Sequence, residues 1–290
     1  MIDLKDVTKS YGDVTAVKGL SLSVRDGEIM GIIGHNGAGK TTTLKMVAGL
    51  VRPTSGQIRV MDRDIEGEGL YVKRFIGFLP EVSSLYEKMT VTDYLMFFAE
   101  LYGVPRRVAR RRMDELLASL DLPRRNQRTG ELSKGMRRKV AIARALLHDP
   151  HVLILDEPNA GLDPLTSFFI IDYLKGLKED GKTLLVSAHN LFHIEYICDR
   201  VAILRDGELL ICDTMDAIRE SLGHREYEVV FKSDEELNFH REDGNYIFRA
   251  SDVGQVASVL GRISQNDWAL VNLSVRESAL EEIYVKLMTA

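Results

Sequence analysis

The spacing of apolar residues along the chain changes period several times, and each change marks an element. Ile29 to Ile33 is an unbroken apolar run, short enough for a strand buried on both faces. It leads into Gly34-His35-Asn36-Gly37-Ala38-Gly39 and then Lys40-Thr41-Thr42. Leu44, Val47 and Ala48 follow at helical spacing. Before that run, Ile2, Leu4, Val7, Val14, Val17, Leu20, Leu22 and Val24 predict strands, with turns at Tyr11-Gly12-Asp13 and Asp26-Gly27. Residues 52–62 predict a turn and a strand. Phe75 to Leu79 predict another strand, stopped by Pro80 and leaving Glu81 at its C-terminal end.

The period then becomes helical over residues 91–122. Val91, Tyr94, Leu95, Phe98, Leu101 and Tyr102 share one face, with Thr90 or Thr92 as N-cap. Gly103 and Pro105 end that helix, and an arginine-rich second helix with Met113, Leu116, Leu117 and Leu120 follows. Its arginines suit either a phosphate or a solvated face. Residues 131–147 predict a helix capped by Ser133, with Met136, Val140, Ala143 and Leu147 as its stripe. Residues 151–155 form a buried strand ending in Asp156-Glu157-Pro158. A helix over about 167–180, a strand from Thr183 to Ser187 and a hairpin from Val201 to Ile211 complete the body. The remainder reads strand, strand, helix, strand, helix: Glu226 to Phe231, Tyr246 to Ala250, Val253 to Ile263, Leu270 to Val275 and Ala279 to Leu287. We therefore expect two domains, 1–222 and 223–290, the second a small α+β unit.

Strand, glycine-spaced loop and helix start form the context of the phosphate-loop pattern G-x-x-x-x-G-K-[ST]. Glycines let backbone N–H groups turn toward anionic oxygens, and the helix N-terminus adds its positive dipole. Lys40 can reach terminal phosphates, and the Thr41 hydroxyl can ligate Mg²⁺. Two carboxylates at the end of a core strand are costly unless a cation or water uses them. Asp156 is thus a candidate for holding Mg²⁺ through water, and Glu157 for accepting a proton from an attacking water. Glu81 and His189 sit at the ends of further strands and are site candidates on that ground; a solvated acid and a structural imidazole are the plainer readings. Tyr11 suits base stacking or simple packing in its turn. Ser133 and Gly135 at a helix start suit a second anion site or an ordinary cap.

Composition narrows the class further. The 290 residues are 45% hydrophobic, enough for a substantial core. Cys198 and Cys212 are the only cysteines, which argues for free thiols rather than a disulfide framework. No apolar run reaches 18 residues, and the N-terminus, with Asp3 and Asp6, lacks a signal-peptide pattern. The net charge of −5 is concentrated at the end: residues 225–290 carry 7 Lys/Arg against 12 Asp/Glu, leaving 31 of each before them. A neutral body with an acidic tail argues against general nucleic-acid binding.

GHNGAGKTT, LSKGM, VLILDEP, AGLD and SAHN, in that order, resemble the motifs of the ABC transporter ATP-binding subunits, specifically the exporter-type, ABC-2-like group. Lys40 precedes Ser133 by 93 residues, Ser133 precedes Asp156 by 23, and Glu157 precedes His189 by 32. The resemblance covers residues 1–222 and implies a P-loop NTPase fold of ABC type: α/β, with an antiparallel β-subdomain and a helical subdomain. It implies ATP and Mg²⁺ as ligands and two ATPase protomers arranged head to tail, identical or paralogous. It implies a separate membrane permease as partner, so that this subunit is peripheral on the cytoplasmic face of the cell membrane. By position, Tyr11 would stack on adenine, and Gly34, His35, Asn36, Gly37, Ala38, Gly39, Lys40, Thr41 and Thr42 would hold phosphates and Mg²⁺. Ser133 and Gly135 would contact the partner's ATP, and Asp163 would lie at the dimer seam. Asp156 would support Mg²⁺, Glu157 would be general base, and His189 would bind the γ-phosphate. Glu81 stands where glutamine is usual near Mg²⁺, LSKGM replaces LSGGQ, and Asn159 replaces threonine. The competing expectation is an ABC ATPase acting on ribosomes or DNA. A single phosphate loop, no sustained heptads and no cysteine cluster count against it.

Overall fold

The computed structural model describes residues 1–123 and 125–289. The chain divides into two compact units, Met1–Thr214 and Met215–Ala290. The first holds two sheets and a helical layer. Strands β1 (Ile2–Tyr11), β2 (Val14–Val24), β3 (Ile29–Ile33), β4 (Ser55–Val60) and β5 (Arg63–Asp64) precede β6 (Ile76–Leu79), with helices α1 (Lys40–Val47) and α2 (Gly69–Val72) between them. Helices α3 (Val91–Leu101), α4 (Arg106–Ser119) and α5 (Lys134–Leu146) follow. The unit closes with β7 (Val152–Asp156), α6 (Pro164–Glu179), β8 (Thr183–Ser187), α7 (Leu191–Ile197), β9 (Arg200–Arg205) and β10 (Glu208–Thr214).

Strands β2, β1, β4 and β5 form an antiparallel sheet in that order. The second sheet runs β10-β9-β3-β8-β7-β6, parallel apart from the β10 edge. All five residues of β3, β7 and β8 are buried, as expected of strands covered on both faces. One apolar cluster joins Ile2, Leu4 and Val17 of the antiparallel sheet to Leu44 and Met46 of α1 and to Met30, Ile32 and Ile154 of the parallel sheet. Because β3, β7, β8 and β6 run in one direction, their C-terminal ends share one edge of the sheet. Asp156 and Ser187 are the last residues of β7 and β8, and the phosphate loop, Glu157, His189 and Glu81 follow the ends of β3, β7, β8 and β6. This common edge is where open α/β sheets present their ligand crevice.

Some boundaries differ from the expected ones. Helix α6 begins at Pro164 rather than near residue 167, because Asp163 caps it, accepting from Thr166 N at 2.9 Å, and Pro164 fits the first turn. Thr90, not Thr92, caps α3, accepting from Asp93 N at 3.1 Å. Helix α7 carried no sequence expectation; its seven residues are capped by Asn190.

The second unit contains α8 (Met215–Leu222), β11 (Arg225–Lys232), β12 (His240–Glu242), β13 (Asn245–Ala250), α9 (Val253–Gln265), β14 (Ala269–Glu277) and α10 (Leu280–Thr289). Its sheet runs β12-β13-β11-β14, and α9 closes a core around Val229, Phe231, Tyr246 and Val256. Helix α8 packs against α10 and so falls in this unit, although residue 222 was the expected limit of the first. The three-residue β12 was not anticipated; a strand so short leaves no periodic signal.

His148, two residues past the end of α5, stacks on Tyr102 with ring centroids 3.8 Å apart, and its Nε2 lies 3.0 Å from the Ile76 carbonyl. Burial pushes its pKa down to about 4 from an ordinary 6.5. Between those values the unfolded chain binds a proton that the folded chain excludes. Stability from this group is therefore complete above about pH 6.5 and is lost as pH falls toward 4, by roughly 2–3 kcal/mol. Urea titrations at pH 7 and pH 5 should show the loss, and His148→Gln should make the difference between the two smaller.

Candidate nucleotide-binding site

Residues from six segments line one cavity of about 850 Å³ at the shared sheet edge. They include Tyr11 and Ala16 from the antiparallel sheet, Asn36 to Thr42 from the phosphate loop apart from Ala38, and Glu81, Glu157 and His189 from the strand ends. Two glycines shape the loop. Gly39 has φ +100, and a Cβ there would stand 2.6 Å from the Ala16 carbonyl. Gly34 lies so close to β9 that a Cβ would meet the Leu204 carbonyl at 2.5 Å. Side chains at either position would push the loop off the sheet. Ala38 is fully buried and anchors the loop from beneath. The His35 ring lies outside the cavity wall, with Nε2 3.3 Å from Asp206 Oδ1.

Lys40 starts α1 with its ammonium turned back over the loop, donating to the Gly34 carbonyl at 2.6 Å and the His35 carbonyl at 3.1 Å. Burial lowers its pKa, and the negative charges of Glu157, Asp156 and Glu81 oppose that shift. Thr41 Oγ1 donates to Asp156 Oδ1 at 3.3 Å, and the Ser187 hydroxyl donates to the same oxygen at 2.6 Å. Asp156 is 2% exposed, so these two hydroxyls are what make its burial tolerable. A hydroxyl and a carboxylate side by side at a phosphate loop form an all-oxygen pair. That pair fits Mg²⁺, which keeps most of its waters and takes few protein ligands.

Glu157 has φ +48, a left-handed conformation costing about 1–3 kcal/mol for a residue of this kind, and it precedes a proline. The conformation aims its carboxylate into the cavity. Oε2 accepts from His189 N at 3.2 Å, and His189 Nε2 lies 3.3 Å from Oε1. Oε1 is nonetheless buried without a well-aligned hydrogen bond among the described residues. Burial raises the Glu157 pKa, against the opposing pull of His189 and Lys40. A carboxylate with one unpaired oxygen, on a residue that lines this cavity, can accept a proton there.

Other expected residues lie elsewhere. Ser133 caps α5, accepting from Met136 N at 3.2 Å, and neither it nor Gly135 lines the cavity. Lys134 crosses over the turn before α6; a Cβ on Gly161 would lie 2.1 Å from its Nζ. The lysine of LSKGM thus rests on the glycine of AGLD within one chain. Asn159 is buried, with Nδ2 2.8 Å from Ser167 Oγ and 2.6 Å from His193 Nδ1. Asp163 serves as the cap of α6. The sequence reading did not single out Ser187 or Arg138. Arg138 heads the stripe 138, 141, 142 and 145, whose other members are all buried apolar residues. A cation at the head of such a stripe was the available signal.

Comparison with known proteins agrees with this geometry. The ABC transporter family model matches residues 17–160. The chain is 38% identical over 239 residues to the ABC transporter ATP-binding protein NatA of Bacillus subtilis (strain 168), covering 80% of this chain and 97% of that protein. The protein belongs to the ABC transporter ATP-binding family. Membership makes this ABC protein an ATPase that binds ATP. It is also 38% identical over 221 residues to the Nod factor export ATP-binding protein I of Burkholderia orbicola (strain AU 1054), covering 76% of this chain and 73% of that protein. Among solved structures, a dimeric ATP-binding cassette in a post-hydrolysis state with ADP and Pi superposes with a TM-score of 0.68 at 31% identity. That match covers 74% of this ABC chain and 99% of the other. The expected fold, α/β of ABC type with an antiparallel sheet and a helical layer, is the one observed.

Proposed function

We propose that this ABC ATPase hydrolyses Mg-ATP in a head-to-tail pair of ATPase protomers and so powers a separate membrane permease, as an exporter. The observation that carries the reading is the incomplete cavity: Lys40, Glu157 and His189 share one wall, while Ser133 and Gly135 of the same chain lie outside it. A second protomer would bring its own Ser133 and Gly135 to the open side. The dimeric relative with ADP and Pi supports that arrangement.

In this reading Tyr11, about half exposed on the cavity wall, stacks on the adenine. The phosphate-loop N–H groups and Lys40 hold the β- and γ-phosphates. Thr41 and Asp156 would hold Mg²⁺, which would neutralise charge on the phosphates, and Glu81 lines the same cavity. Glu157 accepts the proton of the attacking water. The water oxygen bonds to the γ-phosphorus, the bond to the bridging oxygen breaks, and ADP leaves with that electron pair. His189, mostly exposed in the chain alone, contacts the γ-phosphate. Closure by ATP and release after hydrolysis supply the work, because the closed state binds ATP more tightly.

The surface following Glu81 suits a permease. Tyr86 and Phe97 are exposed, and both belong to an aromatic cluster with Tyr94 and Phe98. Among the described residues no helix is long and apolar enough to cross a membrane, so the translocation path would belong to the partner. Export is supported by the Nod factor relative and by the motif variants. Fractionation of cells expressing the tagged chain tests the assignment. Recovery on membranes together with a multispanning protein is expected; recovery with ribosomes, away from membranes, would contradict it.

A further inference from the structure

Helix α5 carries Ser133 at its N-terminus and Arg138 just over one turn later. The Arg138 side chain is 6% exposed. Among the described residues its guanidinium bonds to backbone carbonyls and one hydroxyl, and to no carboxylate oxygen. Nε donates to the Pro158 carbonyl at 2.7 Å. Nη2 donates to the carbonyls of Asp156 at 2.9 Å and Glu157 at 2.6 Å. Nη1 donates to the carbonyls of Pro80 at 2.7 Å and Glu81 at 3.0 Å and to the Ser83 hydroxyl at 2.7 Å. These bonds engage all five N–H donors of the planar fork, one of them shared. Burial pushes the Arg138 pKa down to about 10, while the charges of Asp156 and Glu157 pull it back up. One buried cation is thus spent on tying two peptide segments to one helix. Those segments carry Glu81 and Glu157.

We propose that Arg138 is a positioning residue for ATP hydrolysis: it locks the strand ends carrying Glu81 and Glu157 to the helix carrying Ser133, and so sets the direction of both carboxylates. The proposal rests on the role given above to Glu157. Glu157 holds a left-handed backbone conformation, and the fork grips its carbonyl together with the carbonyls on either side. Without that grip the peptide relaxes toward commoner angles, and the carboxylate turns away from the attacking water. The phosphate loop is held by other contacts, so ATP binding survives. Lysine cannot replace the fork, since it offers three donors at one point rather than five spread in a plane.

Arg138→Lys and Arg138→Gln in the full chain test this, beside wild type and Glu157→Gln. Four quantities are read: kcat, KM, Mg-ATP affinity by equilibrium binding, and Tm without nucleotide. Arg138→Lys should lower kcat about 10-fold and Arg138→Gln about 100-fold, with ATP affinity within about threefold of wild type. Unchanged kcat in a folded variant would overturn the proposal. So would parallel losses of binding and hydrolysis, or collapse of Tm in both variants, since those mark a purely structural arginine. Normal turnover by Glu157→Gln is a separate result, because it removes the role of Glu157 whatever the arginine variants do.

Discussion

Glu157→Gln should lower ATP turnover by about 10²- to 10⁴-fold and leave ATP affinity close to wild type. Glutamine keeps the shape of the side chain and the bond from His189 N to one oxygen, but it cannot take up a proton. The substitution should also stabilise the fold. Burial raises the Glu157 pKa, so the folded state holds its proton to higher pH than the unfolded one. Stability is then lost as pH rises through that window, because a buried charge must be carried above it. At neutral pH glutamine removes the charge, and the variant's Tm should exceed that of wild type. In wild type the acid limb of kcat/KM should lie above the ordinary glutamate range for the same reason. A steady-state assay over pH and a thermal melt check all three expectations.

Lys40→Ala should weaken Mg-ATP binding by about 10²- to 10³-fold. The ammonium now donates to the Gly34 and His35 carbonyls, and burial has removed much of its hydration. Phosphate oxygens offer it charge-assisted bonds, which contribute about 1.5–3 kcal/mol each. Two such bonds account for the expected loss. Equilibrium binding with a fluorescent ATP analogue measures it. Because the free chain gives up only bonds to its own loop, the variant should fold normally. Affinity within threefold of wild type would mean that the loop does not grip polyphosphate.

The parts of the site differ in how openly the sequence announces them. The phosphate loop was legible because its chemistry is local: strand, glycines, lysine and helix start are contiguous. Asp156-Glu157 was legible because a carboxylate pair directly after a buried strand contradicts its surroundings. Glu81 and His189 were legible only as strand ends, and parallel pairing of β6, β7 and β8 is what brings them to the same edge. Ser133 was visible as a cap, and the sequence alone left its anion role open. Arg138 was missed because its partners are backbone carbonyls, which no side-chain motif encodes. The left-handed backbone at Glu157 was missed for a like reason, since tertiary contacts impose it against local preference. In the tail, periodicity gave the two longest helices and three strands, and the three-residue β12 escaped it.

The central claim is that the ATP pocket is completed only by a second protomer. Light scattering on Glu157→Gln, with and without saturating Mg-ATP, tests it most directly. A rise from monomer to dimer mass on adding nucleotide, abolished by Ser133→Arg in the same chain, is the predicted result. A protein that binds Mg-ATP and keeps monomer mass throughout would contradict the account.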